Sequence, residues 1–488
     1  MKKYILILLA VGCFSCEDFL DEKQVSNISY EFYNTEKGIE ALVWAAYEPL
    51  RFWSGEPGIR LSNLGTDIGT NTRVSSGNEF HLYTADINST NGNFSSLWNN
   101  YYKGINSANI AINRLPNVTA TGALRTAEAK VKRQAEVRFL RGYYYFMLVQ
   151  TFGKIPLLLE ENLVVKDDFE RAAVADVYKA IITDLVYAAT NLPETQADYA
   201  RPTRAAAQHL LADVYLTRGS AVQDQRGQKP TDMDSAAFYA EKVIAFKGGL
   251  TPDFDDAHRF DNEKNKDVLF AIQYTPNTIA NGGGNNSHLF YVAQYDNIPG
   301  GGMDRDILNG RAYVRLMPTE YLFNLFNRKI DSRFYKAYKT VFFANTNNVS
   351  KIQKWTAASA PSSDLVGKPK FAKGDTSIVF TFDKGISDAE IAKKPYVFFP
   401  KNKWTDRFFP HYQYMLDPTR IGVNDMDGRL DFKLFWLAET YLIAAEAYGR
   451  KGNYAKAAEY LNVVRRRAAY KEGEKKTFHF YKTDGGSV

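Results

Sequence analysis

Both cysteines of the chain lie close to its N-terminus, where a thiol can be modified by a lipid. Lysines at 2–3 precede an apolar run at 5–11, which is too short to cross a bilayer of about 30 Å as a helix. This pattern predicts a signal peptide at 1–15, cleaved so that Cys16 becomes the first residue and its sulfur is lipidated. Cys13 is the alternative lipidation site, and a signal peptide with incidental cysteines is the other interpretation.

Aromatic and polar side chains in two long segments without helical periodicity, 51–96 and 276–311, are candidates for binding a ligand. An aromatic ring offers a flat apolar surface to the C–H face of a sugar, and neighbouring polar groups can bond to the sugar hydroxyls. The aromatic candidates are Trp53, Tyr83, Tyr291 and Tyr295, and the hydrogen-bonding candidates are Asp67, Asn71, Arg73, Asn78, Arg305 and Asn309. A third segment, 345–406, adds Trp355 and Trp404. Each aromatic residue could instead anchor its loop to a scaffold, so the prediction of a sugar site depends on the whole set.

The motifs of the common catalytic and nucleotide-binding sites do not occur in the sequence. Its 6 histidines show no His-Glu-x-x-His spacing, and there is neither a G-x-S-x-G elbow nor a Walker A loop. The acidic stretch Asn424–Gly428 lacks the closing glutamate of an EF-hand calcium loop. We therefore predict no catalytic residue, no metal and no cofactor. Carboxylate pairs that hydrolyse glycosides are defined by their distance in space, so a glycan hydrolase stays open as an alternative.

Charge and hydropathy restrict the partners of the chain. Its 488 residues include 61 Lys and Arg against 55 Asp and Glu, an excess too small for a protein that binds nucleic acid by neutralising phosphates. Beyond the signal peptide, no apolar run approaches the ~18 residues of a membrane-spanning helix. We therefore expect residues 16–488 to form a single domain that is attached to a membrane only through the lipid at Cys16.

Paired helical patterns are the main secondary-structure signal. Apolar and small residues at 437–448 follow a helical period, the turn Lys451–Asn453 comes next, and a second periodic stretch covers 454–464. Stretches at 207–214 and 236–243 repeat this arrangement. Small alanines between large Tyr and Leu side chains let two antiparallel helices approach closely, as in tetratricopeptide repeats. The predicted fold class is therefore all-α, with helical hairpins that carry large, loop-rich and partly β insertions.

One helical segment, Ala135–Leu157, carries the residues that point to a family. Its sequence, AEVRFLRGYYYF followed by MLVQTFGKIPL, resembles the signature helix of the SusD/RagB family of Bacteroidetes outer-membrane lipoproteins. Further blocks resemble that family in the same order along the chain: Cys16–Asp21, Leu97–Asn109, Asp184–Leu216, Pro318–Phe334 and Ala438–Ala468. The resemblance therefore covers nearly the whole chain.

The resemblance implies a SusD-like fold, with tetratricopeptide-like hairpins on one side and irregular loops on the ligand side. It implies a surface lipoprotein that captures oligosaccharide and delivers it to a SusC-like TonB-dependent transporter in the outer membrane. A surface glycan hydrolase that uses carboxylates of the insertions, and a helical-repeat scaffold that binds a peptide, are the alternatives. Family members generally continue past the late hairpin, whereas this sequence ends at Asp484–Val488, so we expect a C-terminally truncated domain.

Overall fold

Long amphipathic helices, stacked side by side, form the scaffold of the molecule. The computed structural model describes residues 30–72, 77–162, 168–223, 225–382 and 386–472. The scaffold helices are α1 (Glu36–Tyr47), α2 (Gly92–Arg114), α3 (Ala127–Phe152), α4 (Val174–Asn191), α5 (Arg204–Gly219), α6 (Asp232–Lys247), α7 (Leu437–Arg450) and α8 (Tyr454–Ala468). Neighbours in this series pack against each other, and α7 packs against α6 although a long insertion separates them in the chain. Within the described ranges, no helix is both long and apolar enough to cross a bilayer.

Two hairpins predicted from the sequence are confirmed in this stack. Helices α7 and α8 are joined at Lys451–Asn453, and α5 and α6 form the earlier hairpin. Leu437, Tyr441 and Ala444 of α7 are buried, as their spacing of three and four residues predicts for one face of a helix. The hairpins therefore use their apolar stripes to pack against one another.

The central helix α3 shows how local sequence sets the bounds of an element. It begins after Thr126, whose side chain accepts a hydrogen bond from the backbone N–H of Ala129 at 3.1 Å. It ends at Gly153, whose φ of 70° lies in a region that favours glycine and whose N–H donates to the carbonyl of Val149 at 3.0 Å. Thr126 and Gly153 therefore set the two ends of α3.

Short strands connect the insertions to the scaffold. They are β1 (Gly69–Asn71), β2 (Val268–Ile272), β3 (Leu316–Pro318), β4 (Tyr338–Lys339), β5 (Val341–Phe343), β6 (Thr376–Thr381), β7 (Val397–Pro400), β8 (His411–Tyr412) and β9 (Phe432–Trp436). β2 pairs antiparallel with β9, with Val268 opposite Trp436. The ring of Phe270 in β2 contacts that of Phe139 in α3 edge-on, with centroids 5.1 Å apart. The long insertion between β2 and β9 thus leaves and rejoins the scaffold at one place.

The β character predicted in the third segment is confirmed. Its strands β6 and β7 pair in parallel, with Ile378 opposite Val397. β5 pairs antiparallel on the other side of β6 and completes a three-stranded sheet.

The segments 51–96 and 276–311, in contrast, contain more helix than their lack of periodicity predicted. The short α- and 3₁₀-helices of the described residues are Tyr30–Asn34, Glu48–Ser54, Glu56–Asn63, Asn78–Leu82, Leu115–Asn117, Phe254–His258, Thr278–Asn281, Ser287–Phe290, Tyr295–Asn297, Glu320–Leu325, Arg333–Ala337, Val349–Lys351, Ser363–Leu365, Asp388–Ala392 and Lys401–Lys403. Those in the two segments have 3 to 8 residues. A helix of this length does not fill the window over which a 3.6-residue period can be recognised.

Separate small cores hold the insertions, beside the large core of the scaffold. One of them, which we call the junction core, combines residues of the first and second segments with β3: Ile59, Leu64, Phe80, Leu289, Phe290 and Leu316. Another contains Tyr295, Phe342 and Phe380. The junction core matters for function because it holds the two predicted ligand-binding segments against each other.

Candidate functional site

A short antiparallel ladder joins the first predicted segment to β3, which follows the second segment in the chain. β1 pairs with β3, with Thr70 opposite Met317. Thr319, just after β3, donates a hydrogen bond from its hydroxyl to the carbonyl of Asp67, just before β1. The ladder lies over the junction core, so the residues around β1 are held on a packed base.

A group of exposed and partly exposed polar and aromatic side chains lies on β1 and next to it. We call this group the loop platform, and it comprises Asp67, Thr70, Asn71, Asn78, His81 and Tyr83. The hydroxyl of Thr70 lies 3.2 Å from Nδ1 of His81, and the Asn71 amide donates to Oδ1 of Asn78 at 2.7 Å. Among the described residues, no hydrogen-bond donor contacts the buried Oδ1 atom of Asn71.

Tyr83 is the most exposed aromatic residue of the platform, with 71% of its surface accessible. Its φ of 53° is left-handed, a conformation that costs a non-glycine residue about 1 kcal/mol or more, and Tyr83 here ends the short helix Asn78–Leu82. Its hydroxyl donates to the carbonyl of Gly65 at 2.5 Å, which fixes the side chain. Tyr83 therefore has the exposure and the fixed position that a stacking residue needs.

A cavity of about 280 Å³ adjoins the platform at Ile68 and Gly69. Tyr291, predicted from the second segment, lines this cavity together with Tyr412 and Met415. Burial raises the pKa of the Tyr291 hydroxyl well above its usual range, so the group is neutral at physiological pH. We call this cavity of about 280 Å³ the platform cavity.

The structure places other predicted residues away from the platform. Trp53 is half-buried against the scaffold core, with its ring edge-on to Phe52 at 5.2 Å. Tyr295 is only 1% exposed, its ring stacks on Phe342, and its hydroxyl donates to Gly310 at 2.8 Å. Loops of this size build cores of their own, so an aromatic residue off any helical stripe can still be a core residue. We therefore leave both residues out of the proposed site.

The remaining candidates are divided between ion pairs, cores and undescribed positions. Arg305 donates from Nε to Asp296 at 2.9 Å and from a terminal nitrogen to Asn424 at 2.9 Å. Asn309 is buried, and its amide donates to Asp306 at 2.6 Å. Trp355 is buried and Trp404 packs into two of the small cores, so the third segment presents neither as an open ring. Arg73, Cys13 and Cys16 lie outside the described residues.

Sequence reasoning missed three residues near this site: Thr70, His81 and Tyr412. The first two are isolated polar residues in a loop, and no pattern distinguishes them from solvent-exposed neighbours. Tyr412 belongs to the run His411–Tyr414, in which three of four residues carry rings, and this local aromatic density is a signal that could have been used. In the part of the chain that the structure describes, no group of His, Cys, Asp and Glu side chains is arranged to hold a metal ion.

Comparison with known families agrees with this architecture. Residues 18–216 match a family model described as "Starch-binding associating with outer membrane", and residues 257–484 match that of the SusD family. The chain belongs to the SusD/RagB family, a family of binding proteins. The resemblance noted in the sequence is therefore confirmed.

Curated relatives are 25–30% identical to this chain over the residues that align. A SusD-like protein of Bacteroides ovatus is 30% identical over 283 residues, which cover 57% of this chain and 50% of the relative. SusD-like protein P2 of Formosa agariphila is 28% identical over 391 residues, which cover 76% of this chain and 71% of that protein. The chain thus spans about half the length of the Bacteroides ovatus relative and 71% of the length of the Formosa agariphila relative.

Solved structures show that the fold is SusD-like. A laminarin-binding SusD-like protein superposes with a TM-score of 0.60 at 20% identity, covering 89% of this chain and 84% of that chain. Surface glycan-binding protein A from Bacteroides uniformis superposes with a TM-score of 0.61 at 18% identity, covering 90% of this chain and 81% of its own. The predicted fold class, tetratricopeptide-like hairpins with large insertions, is confirmed.

Proposed function

We propose that this protein captures neutral oligosaccharide at the loop platform and passes it to a SusC-like TonB-dependent transporter of the outer membrane. The observation that carries the proposal is the exposed, fixed ring of Tyr83 beside the polar groups of Asp67 and Asn71. Its family context, described as starch-binding and associated with the outer membrane, supports the same conclusion.

The chemistry of the platform suits a sugar. The face of Tyr83 can stack on the C–H face of a sugar ring, while Asp67, Asn71 and His81 supply donors and acceptors for its hydroxyls. A neutral sugar fits better than an acidic one, because the exposed carboxylate of Asp67 repels a negative charge. Tyr291 and Tyr412 in the platform cavity extend the apolar surface next to Tyr83's loop.

Titration calorimetry with neutral oligosaccharides tests the platform. Tyr83→Ala should weaken binding by about 5- to 150-fold, because a stacking anchor contributes about 1–3 kcal/mol. Tyr454→Ala is the matched control, since that tyrosine is 75% exposed on α8, away from the platform. Equal affinities of the two variants and the parent would show that the platform is not the binding site. Tyr291→Ala should weaken binding as well.

Binding without turnover is the second part of the proposal. The parent protein incubated with starch, laminarin, cellulose or xylan should release no new reducing ends. Steady release that disappears when one carboxylate is replaced would support the hydrolase alternative instead.

The partner and the anchor form the third part. We expect Cys16 to carry the lipid and the protein to co-purify with a TonB-dependent transporter from detergent-solubilised outer membranes. A tagged protein that is recovered from those membranes without any such transporter would contradict the delivery step, although sugar capture at the platform would stand.

A further inference from the structure

Three lysine side chains are buried among the residues that the structure describes, and they differ in what surrounds their ammonium groups. Lys336 forms an ion pair with Asp253 at 3.0 Å. Lys370 donates from Nζ to two backbone carbonyl oxygens, at 2.7 and 3.1 Å. Lys339 of β4 differs from both, because its Nζ has neither a carboxylate of the described residues within ion-pair distance nor a second hydrogen-bond acceptor.

In the described part of the chain, the ammonium group of Lys339 contacts only neutral groups. Its Nζ donates one hydrogen bond, to Oδ1 of Asn309, and lies 5.1 Å from the centre of the Phe342 ring. Asn309 in turn donates to Asp306 from its backbone N–H and from its side-chain amide, at 2.6 Å each. An ammonium group has three N–H donors, so Asn309 satisfies only one of those of Lys339.

Burial makes this position unfavourable for a positive charge. It lowers the pKa of the Lys339 ammonium group to about 8, although attraction by Asp306 opposes the shift. At pH 7 the group is therefore still mostly charged. A buried charge without an opposite charge beside it destabilises a fold, and a bound anion would remove that penalty.

Lys339 and Asn309 both line a cavity of about 460 Å³, which we call the lysine cavity. The described residues that line it include no aspartate and no glutamate. Arg259 also lines the cavity, but its guanidinium group is already paired with Asp261. His258, another lining residue, is neutral at pH 7 because burial lowers its pKa to about 4. Lys339 is therefore the lining residue whose charge is left for a ligand.

We propose that the lysine cavity binds the oxyanion group of an acidic sugar, either the carboxylate of a uronic acid or the sulfate of a sulfated sugar. An oxygen of that group would accept the remaining N–H donors of Lys339. Such charge-assisted hydrogen bonds are about twice as strong as those between neutral groups. That the ligand is a sugar rests on the proposed function, whereas its negative charge is inferred from the cavity alone.

The lysine cavity goes beyond the loop platform in place and in selectivity. It shares no lining residue with the platform cavity. The exposed carboxylate of Asp67 on the platform repels an anion, whereas the ammonium group of Lys339 attracts one. The two sites therefore select sugars of different charge, and each can be tested without the other.

Titration calorimetry with D-glucuronate, D-glucose 6-sulfate and D-glucose tests the lysine cavity, because these ligands share a sugar ring and differ at C6. The parent should bind one or both acidic sugars about tenfold more tightly than glucose, as expected for a hydrogen bond to a charged group. Comparison of glucuronate with glucose 6-sulfate shows whether a carboxylate or a sulfate is preferred.

Variants at Lys339 assign this preference to one side chain. Lys339→Met keeps the length of the side chain without its charge and should bind the acidic sugars no better than glucose. Lys339→Gln, which keeps a hydrogen-bond donor, should lose the preference as well. Lys370→Met is the matched control, because it removes a lysine that is equally buried but does not line this cavity. Circular dichroism of each variant checks that the fold is kept.

Equal affinities of the parent for the acidic sugars and for glucose would overturn the proposal. An acidic-sugar preference that survives in both Lys339 variants, or that Lys370→Met also removes, would overturn it too. Binding of inorganic sulfate without either acidic sugar would overturn the assignment of the ligand class. Tyr83→Ala should leave the affinity for acidic sugars unchanged, and a loss in that variant would place them on the loop platform instead.

Discussion

Arg141 of α3 binds Asp184 of α4 through two parallel hydrogen bonds, from Nε at 2.7 Å and from a terminal nitrogen at 2.8 Å. Both side chains are almost completely buried. The remaining terminal nitrogen of Arg141 donates to Oδ1 of Asn109 in α2 and to the carbonyl of Leu159. One guanidinium group therefore connects three scaffold helices and the chain that follows α3.

The first prediction concerns this buried pair. Asp184→Asn keeps the shape of the side chain but leaves the charge of Arg141 without its carboxylate. We expect the free energy of unfolding, measured with urea, to fall by about 3–5 kcal/mol. Lys132→Met on the same helix removes an exposed pair with Glu128 and should leave stability unchanged. If the two variants lost similar amounts of unfolding free energy, burial of the Arg141–Asp184 pair would not make it more important for stability than an exposed pair.

The second prediction concerns the close contact between α2 and α3. A methyl group at Gly104 would lie 2.6 Å from Cε2 of Tyr144 and 3.0 Å from Cγ of Pro49. Gly104→Ala should therefore destabilise the protein by about 1–3 kcal/mol through overpacking. At Gly92, in the same helix, an added methyl meets nothing within 4 Å. Gly92→Ala should leave stability unchanged or raise it by up to about 1 kcal/mol, and thermal unfolding of both variants checks the contrast.

The third prediction concerns the pH dependence of stability. Burial, together with the positive charges of Arg467 and Lys433, lowers the pKa of His258 to about 4. The unfolded chain, with a histidine pKa near 6.5, therefore binds more protons between about pH 6.5 and 4, and stability falls as the pH falls through this window. Between pH 7 and 5 the parent should lose about 2 kcal/mol more than His258→Gln. If the parent and His258→Gln gave parallel curves of unfolding free energy against pH, this pH dependence could not be assigned to His258.

The fourth prediction concerns the lipid. Cys16→Ser should release the protein from the outer membrane, because acyl chains on the cysteine are the expected membrane attachment. Mass spectrometry of the membrane-extracted parent should show a diacylglyceryl group on an N-terminal Cys16. Unchanged membrane retention of the variant, or an unmodified N-terminal peptide that begins elsewhere, would contradict this. Lipidation of Cys13 in place of Cys16 would change the residue that carries the lipid, but the protein would still be attached to the membrane by acyl chains.

The scaffold helices could be predicted because the residue patterns that specify them lie within short stretches of the sequence. Leu437, Tyr441 and Ala444 repeat at helical spacing, and Gly153 ends α3 where the sequence indicates. The partner of Arg141 could not be predicted in this way. Nothing near Arg141 in the sequence identifies Asp184 as its partner, because the two meet only when α3 packs against α4.

The candidate site was predicted less well, for a physical reason. Tyr83 and Trp53 both appear as isolated aromatic residues, yet Tyr83 is exposed and Trp53 packs on the scaffold core. Which of the two faces solvent depends on the junction core and on the β1–β3 ladder, both of which join residues that are distant in the sequence. Tyr412 was missed because it lies outside the segments selected for their lack of periodicity.

The pairing of β2 with β9 has an evolutionary consequence. It closes the segment 273–431 into a loop whose two ends are fixed side by side on the large core. The entropic cost of closing a loop grows only with the logarithm of its length, so residues can be gained or lost inside this segment at little thermodynamic cost. The segment can therefore change in length and sequence while the helical frame stays intact.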